Sequence, residues 1–132
     1  MAATFASELV TPERVLFEGE TEMVALRTVE GESAFLANHA PFVAQLVPSV
    51  VRFIKEDGSE ERAAVHGGFV RMDAGRLAVM AEVAELSGEI DVGRARARMT
   101  ALDASPEVEG EEEEIEQARA RAQARIDAAS SV

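Results

Sequence analysis

The chain has 132 residues, of which 47% are hydrophobic and 29% are charged, enough to bury the core of one domain with a small appendage. Its 25 acidic residues outnumber its 13 basic ones, and the net charge of -12 disfavours binding to a nucleic acid or an anionic lipid surface. Cysteine is absent, which excludes disulfides, thiolate metal sites and cysteine nucleophiles. The N-terminus lacks the pattern of a signal peptide and no long apolar run occurs, so we expect no insertion into a bilayer.

Residues 1–87 have the pattern of many short strands. Turn-forming residues recur at short intervals between Pro12 and Gly75, and the segments between them, such as 50–54, are rich in β-branched and aromatic residues. About eight to ten strands of this kind favour a two-sheet β-sandwich, because a single open sheet would leave one apolar face in water.

Two of the turns predict β-hairpins. Asp57-Gly58 lies between two strand-like segments, and we expect a type I′ turn there, with positive φ at both central positions. Ala74-Gly75 predicts a second hairpin, between residues 69–72 and 77–81.

From Ser87-Gly88 onward the apolar residues follow the period of a helix. Asp91 is placed to cap the first helix, and Pro106 is expected to end it, since proline disfavours helical geometry at the preceding residue. One apolar stripe comprises Val92, Ala95, Met99 and Leu102, and the second comprises Ile115, Ala118, Ala122, Ile126 and Ala129. The sequence therefore predicts a sandwich domain at 1–87 and an α-helical hairpin at 88–132.

The stripes consist mainly of alanine, so each helix should bury little apolar area. We expect the hairpin to be marginally stable and able to detach. The acidic segment Glu107–Glu116 is interpreted as a solvated helix start, where negative charge complements the helix dipole; a specific cation site is the alternative.

Motifs of catalysis are missing from the sequence. It contains no G-x-x-x-x-G-K-[ST] loop, no nucleophile elbow and no H-E-x-x-H motif. A small enzyme acting through His39 and His66 is one alternative, but each histidine is better interpreted as a structural residue bonded to a nearby backbone group. We therefore expect no catalytic residue and no metal site.

Five short segments occur in a specific order over positions 5 to 98. They are Leu9–Phe17, Glu30–Glu32, Asn38–Phe42, Gly67–Phe69 and Ile90–Ala95. In this order and spacing the chain resembles the epsilon subunits of bacterial F-type ATP synthases. The resemblance implies a ten-stranded N-terminal β-sandwich followed by a C-terminal antiparallel two-helix hairpin.

The resemblance also implies a non-catalytic rotor subunit, peripheral on the cytoplasmic face of the bacterial inner membrane. In this family the sandwich clamps the gamma subunit and rests on the c-ring, so that proton-driven rotation reaches the central shaft during ATP synthesis. The matching contact positions are Glu30, Gly31, Glu32, His39, Ala40 and Pro41. A carboxylate at Glu32 could pair with basic residues of a ring loop; without the resemblance, it would be an exposed turn residue.

The hairpin has a second role in the family. In many members it rises along gamma and blocks ATP hydrolysis at the alpha and beta catalytic subunits, and in some its folded-down form binds regulatory ATP through an I-D-x-x-R-A motif. No cofactor is otherwise required. The resemblance transfers the ATP site to Glu85, Ile90, Asp91, Arg94, Ala95, Arg121 and Arg125.

Purely structural roles for the residues of this motif are the alternative. Asp91 is also a good helix cap, and Arg94 could pair with Glu85 or Glu89. The acidic segment before the second helix would oppose docking onto an acidic surface of the catalytic subunits. The alternative to a rotor subunit is a stand-alone ATP-sensing binding module.

Overall fold

Ten strands and two α-helices form within residues 3–104 and 109–129, the part of the chain that the computed structural model describes. The strands are β1 (Phe5–Val10), β2 (Val15–Thr21), β3 (Met23–Thr28), β4 (Gly31–Leu36), β5 (Phe42–Gln45), β6 (Ser49–Ile54), β7 (Glu60–Val65), β8 (Gly68–Asp73), β9 (Arg76–Ala81) and β10 (Ala84–Leu86). A 3-10 turn at Ser87–Glu89 leads into α1 (Val92–Ala104) and α2 (Glu112–Ala129). The predicted sandwich followed by two helices is confirmed.

The strands form two five-stranded sheets. The first has the order β2-β1-β9-β8-β5 and the second β10-β7-β6-β3-β4. Neighbouring strands run antiparallel except for β1 and β9, which pair in parallel with Leu9 opposite Val79. The main core lies between the sheets, where Phe35 and Phe53 are completely buried. Side chains alternate between the two faces of β8: Val70 and Met72 face this core, whereas Phe69, Arg71 and Asp73 face solvent.

The two predicted hairpins are present, but the turn type predicted for the first of them is not observed. Strands β6 and β7 pair up to Ile54 opposite Glu60, and only Gly58 of the intervening loop has positive φ. The type I′ prediction for Asp57-Gly58 is therefore wrong: the Asp57 carboxylate accepts bonds from the backbone and hydroxyl of Ser59, which closes a longer loop. The β8–β9 turn instead has positive φ at both Ala74 (51°) and Gly75 (75°).

The helices pack outside the second sheet. Helix α2 lies on β6 and β7, and α1 packs against α2. A small second core joins Ala64 of β7 to Ala124 and Ala128 of α2. The predicted stripe on α2 was incomplete, because Ala124 and Ala128 lie outside it and are buried.

Several details of the hairpin prediction can be followed in the structure. The cap is confirmed, since the Arg94 backbone N–H donates to Asp91 Oδ1 at 3.0 Å. The predicted boundary between residues 87 and 88 falls within the 3-10 turn. Pro106 and the start of the acidic segment lie outside the described residues. No described helix is both long and apolar enough to span a membrane.

Candidate functional site

A polar pocket of about 470 Å³ lies where the end of β10, the start of α1 and the C-terminal third of α2 meet. Its lining brings together three carboxylates, three guanidinium groups and one small side chain, namely Glu85, Glu89, Asp91, Arg94, Arg98, Arg125 and Ala95. We call it the hairpin pocket. Its volume is in the range of small-molecule sites.

Glu85 connects the sandwich to α2 at this pocket. Its Oε1 accepts a hydrogen bond from Arg125 Nε at 2.5 Å and lies 3.1 Å from His66 Nε2. Burial favours the protonated acid, but the hydrogen bonds from Arg125 and His66 outweigh it and hold the pKa of Glu85 below its ordinary value. Glu85 is therefore an ionised acceptor shared by two donors.

The other two carboxylates are also engaged. Glu89 accepts bonds from Arg14 at 2.7 Å and from the Leu86 backbone N–H at 3.1 Å, and the bond from Arg14 leads the causes that lower the pKa of Glu89. Asp91 Oδ1 caps α1. The expected pairing of Arg94 with Glu85 or Glu89 is wrong, because Arg125 and Arg14 bind these carboxylates instead.

Two arginines of the pocket have no acidic partner among the described residues. Neither Arg94 nor Arg98 makes an ion pair with any residue of 3–104 or 109–129. Both are exposed on α1. Together with Arg125 they supply the three guanidinium groups of the pocket lining, a type of side chain that can bind an anion through paired hydrogen bonds.

The structure brings together five of the seven positions that the resemblance assigned to ATP: Glu85, Asp91, Arg94, Ala95 and Arg125. Ile90 packs instead beside the alanine core, and Arg121 is not part of the lining. The sequence placed Arg98 beside Arg94 on one helix face, but neither Arg98 nor Glu89 was assigned to the ATP site. The four-residue spacing from Arg94 was a usable signal for Arg98.

The positions assigned to ring and gamma contacts form two patches. Glu30, Gly31 and Glu32 lie where β3 turns into β4, while the turn of His39, Ala40 and Pro41 follows the far end of β4. The six residues of this strand separate the patches by roughly 17 Å. Glu32 is 77% exposed and pairs with Arg27 at 2.6 Å.

The two histidines have different partners. His39 is exposed, and its Nδ1 lies 2.7 Å from the Ala40 carbonyl oxygen, as predicted for a structural histidine. For His66 the prediction of a backbone partner for the ring is wrong, because the ring is buried against Glu85. No group of three or more potential metal ligands occurs among the residues placed by the structure.

An apolar patch covers part of the outer face of the first sheet. Met80 of β9 lies between Val10 of β1 and Phe69 of β8, and Val43 of β5 lies diagonally beyond Phe69. Val43, Phe69 and Met80 are 66%, 51% and 41% exposed. We call Val10, Val43, Phe69 and Met80 the β8–β9 patch. Adjacent apolar side chains exposed on one sheet face are typical of a protein contact surface.

Comparison with protein families gives a match that includes all ten strands of the sandwich. A model described as the ATP synthase delta/epsilon chain β-sandwich domain matches residues 4–87. The ATP synthase epsilon chain of Thermobifida fusca is 50% identical over 99 residues, which cover 73% of this chain and 72% of that protein. The epsilon chain of Alkalihalophilus pseudofirmus is 45% identical over 95 residues, with 72% and 71% covered.

Solved structures resemble the whole described fold. A chain from the mitochondrial ATP synthase of Euglena gracilis, in a complex described as OSCP, F1 and c-ring, aligns with a TM-score of 0.78 and 25% identity, covering 98% of this chain and 82% of that chain. A chain from the central stalk and c-ring of the Tetrahymena thermophila enzyme aligns with a TM-score of 0.64, covering 98% of both chains. Its identity of 12% is evidence for the fold alone.

Proposed function

Because this chain belongs to the family of ATP synthase epsilon chains, we propose that it serves the central stalk as a non-catalytic rotor subunit. The sandwich clamps gamma and rests on the loops of the c-ring, so that rotation driven by protons reaches the shaft during ATP synthesis. The chain is held peripherally on the cytoplasmic face of the bacterial inner membrane through these two partners.

The observation that carries this proposal is the β8–β9 patch. Its apolar centre is bordered by charged residues of the same face, among them Arg71 and Asp73 of β8. An apolar centre with a polar rim is the usual anatomy of a stable protein interface. The patch lies on the sheet away from the helices, so gamma can bind it while the hairpin stays packed on the other sheet.

The turn between β3 and β4 suits a second, polar contact. Glu30 is exposed, and the pair between Glu32 and Arg27 lies in solvent. A solvated ion pair contributes little to stability, so Glu32 can exchange Arg27 for a basic group of a ring loop at low cost. This geometry supports the assignment of Glu30, Gly31 and Glu32 to the c-ring.

Gamma binding can be tested by placing a charge in the patch. We expect Phe69→Glu to weaken association with purified gamma about 30-fold, the effect of losing one central interface residue. Ala34→Glu is the matched control, because it adds the same charge to an exposed position of the other sheet. Equal binding by both variants and the parent chain would contradict the proposed interface.

The hairpin pocket supports a second function, the binding of regulatory ATP. Arg94 and Arg98 line the same pocket as Arg125 and form no ion pair within the described part of the chain, and a polyphosphate would relieve the repulsion among the three guanidinium groups. A nucleotide bound there would tie α1 and α2 to the end of β10. Arg121 is not among the residues that line this pocket, so we assign the phosphates to Arg94, Arg98 and Arg125.

Calorimetry of the full chain with magnesium and ATP tests this function. We expect saturable binding that Arg98→Gln weakens about tenfold, since a charge-assisted bond to phosphate is worth roughly 1.5 kcal/mol or more. The control Arg71→Gln removes an exposed arginine elsewhere and should bind as the parent does. Absence of heat at millimolar ATP would remove both this function and the alternative of a stand-alone ATP sensor.

We assign inhibition of ATP hydrolysis to the released hairpin, which would then contact the alpha and beta catalytic subunits. The acidic residues at the start of α2 oppose this docking. Hydrolysis by the catalytic complex, reconstituted with the full chain or with a chain ending at Gly88, decides the question. Higher activity with the shorter chain supports inhibition, and equal activity contradicts it.

A further inference from the structure

His66 occupies an unusual position between the sandwich and α2. It follows β7, and its backbone N–H donates to the Val83 carbonyl oxygen at 2.9 Å, which fixes the ring beside β10. The side chain is only 3% exposed. Its Nε2 lies 3.1 Å from Glu85 Oε1, whereas Nδ1 is buried without a hydrogen-bond partner in the described structure.

This arrangement suits the neutral ring. A neutral His66 can donate from Nε2 to Glu85 and leave at Nδ1 only a bare lone pair. Protonation would create a second N–H at Nδ1, and a buried donor without an acceptor is costly. We therefore expect the ring to resist a proton as long as its surroundings stay in place.

The charged groups around His66 come from three elements. Glu85 approaches from β10, Arg121 and Arg125 act on the ring from α2, and the Glu82 carboxylate before β10 lies against the neighbouring Gly67. Burial lowers the pKa of His66 most; Glu85 opposes this effect, and the positive charges of Arg125 and Arg121 add to the lowering. Two of the contributions thus depend on α2 being docked.

Glu85 is the acceptor that His66 and Arg125 share. Both donors approach the same oxygen, Oε1. A charged His66 would compete with Arg125 for this oxygen and would repel the guanidinium group. Other contacts that hold α2 on the sheet include the hydrogen bond from Arg62 to the Asp127 carbonyl oxygen at 2.9 Å and the small alanine core. Because the Glu85–Arg125 pair adds to these contacts, its loss would weaken docking.

We propose that His66, Glu85 and Arg125 form a proton-sensitive latch, which holds the hairpin on the second sheet while His66 is neutral and releases it when His66 is protonated. His66 acts as a positioning residue through Glu85. The latch goes beyond the proposed function, since it requires neither bound ATP nor any other subunit.

The direction of the pH effect follows from linkage. His66 has a lower pKa in the docked state than in the released state, so the released state binds more protons as pH falls through the ordinary value of 6.5. Docking is therefore strongest above this pH and weakens below it. The pKa of Glu85 is lowered from 4.5 in the docked state. Protonation of Glu85 at more acidic pH therefore weakens docking further.

The latch can be tested on the full chain by measuring the distance between two spin labels. The chain has no cysteine, so Glu56→Cys on the sandwich and Gln117→Cys on α2 supply two exposed labelling sites. Between pH 7.5 and 5.5, the ratio of docked to released hairpin should fall about threefold or more, because release of the hairpin is coupled to protonation of His66. An unchanged ratio would overturn the proposal.

Variants separate His66 from other acid effects. His66→Gln can still donate to Glu85 but cannot titrate, so its docked fraction should stay constant over this range. His39→Gln is the matched control and should keep the parent's pH dependence; a His66→Gln chain that keeps it as well would overturn the proposal. Should His66→Gln fail to fold, NMR titration decides: the pKa of His66 should rise in Arg125→Gln, and an unchanged pKa would contradict the latch.

Discussion

The sandwich and the hairpin are stabilised by different contacts. Between the two sheets, large side chains such as Phe53 and Leu9 are completely buried. The hairpin meets the second sheet through alanines, with Ala64 opposite Ala124 and Ala128, and through the ion pair of Arg125 with Glu85. Buried apolar area scales with side-chain size, so we expect the sandwich to be a firm platform from which the hairpin is released more easily than the sandwich unfolds.

The largest effect is expected in the core of the sandwich. Phe53 is fully buried and stacks on Phe17 with ring centroids 4.4 Å apart. Phe53→Ala should lower the free energy of unfolding by about 3–5 kcal/mol, through lost burial and the cavity left behind. Denaturant unfolding followed by circular dichroism measures this change. A loss below about 1 kcal/mol would show that the platform does not depend on its aromatic centre.

A smaller effect, confined to the hairpin, is expected at the alanine core. Ala124→Asp buries a carboxylate against Ala64 and should weaken hairpin docking by about 1–3 kcal/mol. Hydrogen exchange should then show faster exchange in α2 and unchanged protection in β6 and β8. Gln117→Asp, on an exposed position of the same helix, is the control. Loss of protection throughout the sandwich would mean that the two regions are one cooperative unit.

The smallest effect concerns the start of α1. Asp91→Ala removes the cap to the Arg94 backbone N–H and should cost about 1 kcal/mol of helix stability. NMR chemical shifts of the first turn of α1 should move toward those of a coil, while those of the sandwich stay fixed. Asp91→Asn should restore most of the helix, because asparagine caps nearly as well as aspartate. Equal fraying in both variants would exclude a capping role.

The same difference between the regions determines which features could be predicted from the sequence. Turn residues and β-branched segments suffice for the sandwich, because two sheets must bury their apolar faces against each other. The turn type predicted for Asp57-Gly58 was wrong because the Asp57 side chain accepts a hydrogen bond from the Ser59 backbone N–H. Dipeptide preferences do not include such bonds between a side chain and the nearby backbone. In α2, alanines occupy several faces, so periodicity alone did not select Ala124 and Ala128.

The candidate site shows a second limit. The helix cap by Asp91 and the shared face of Arg94 and Arg98 follow from spacing within one element. Ion pairs between distant elements do not: Arg14 and Glu89 are 75 residues apart in sequence. His66 and Glu85 likewise meet only because β10 pairs with β7, so the burial of His66 against an acid became visible only in the folded chain.

Transmission of rotation by the sandwich is tested most directly by ATP synthesis in vesicles that contain the complete synthase with one of two full-length variants. Phe69→Glu alters the β8–β9 patch, and Ala124→Asp loosens only the hairpin. We predict that Phe69→Glu abolishes most of the coupling between proton flow and ATP synthesis, whereas Ala124→Asp leaves the coupling intact. Full coupling with Phe69→Glu, or its loss with Ala124→Asp alone, would contradict a sandwich that transmits rotation independently of its hairpin.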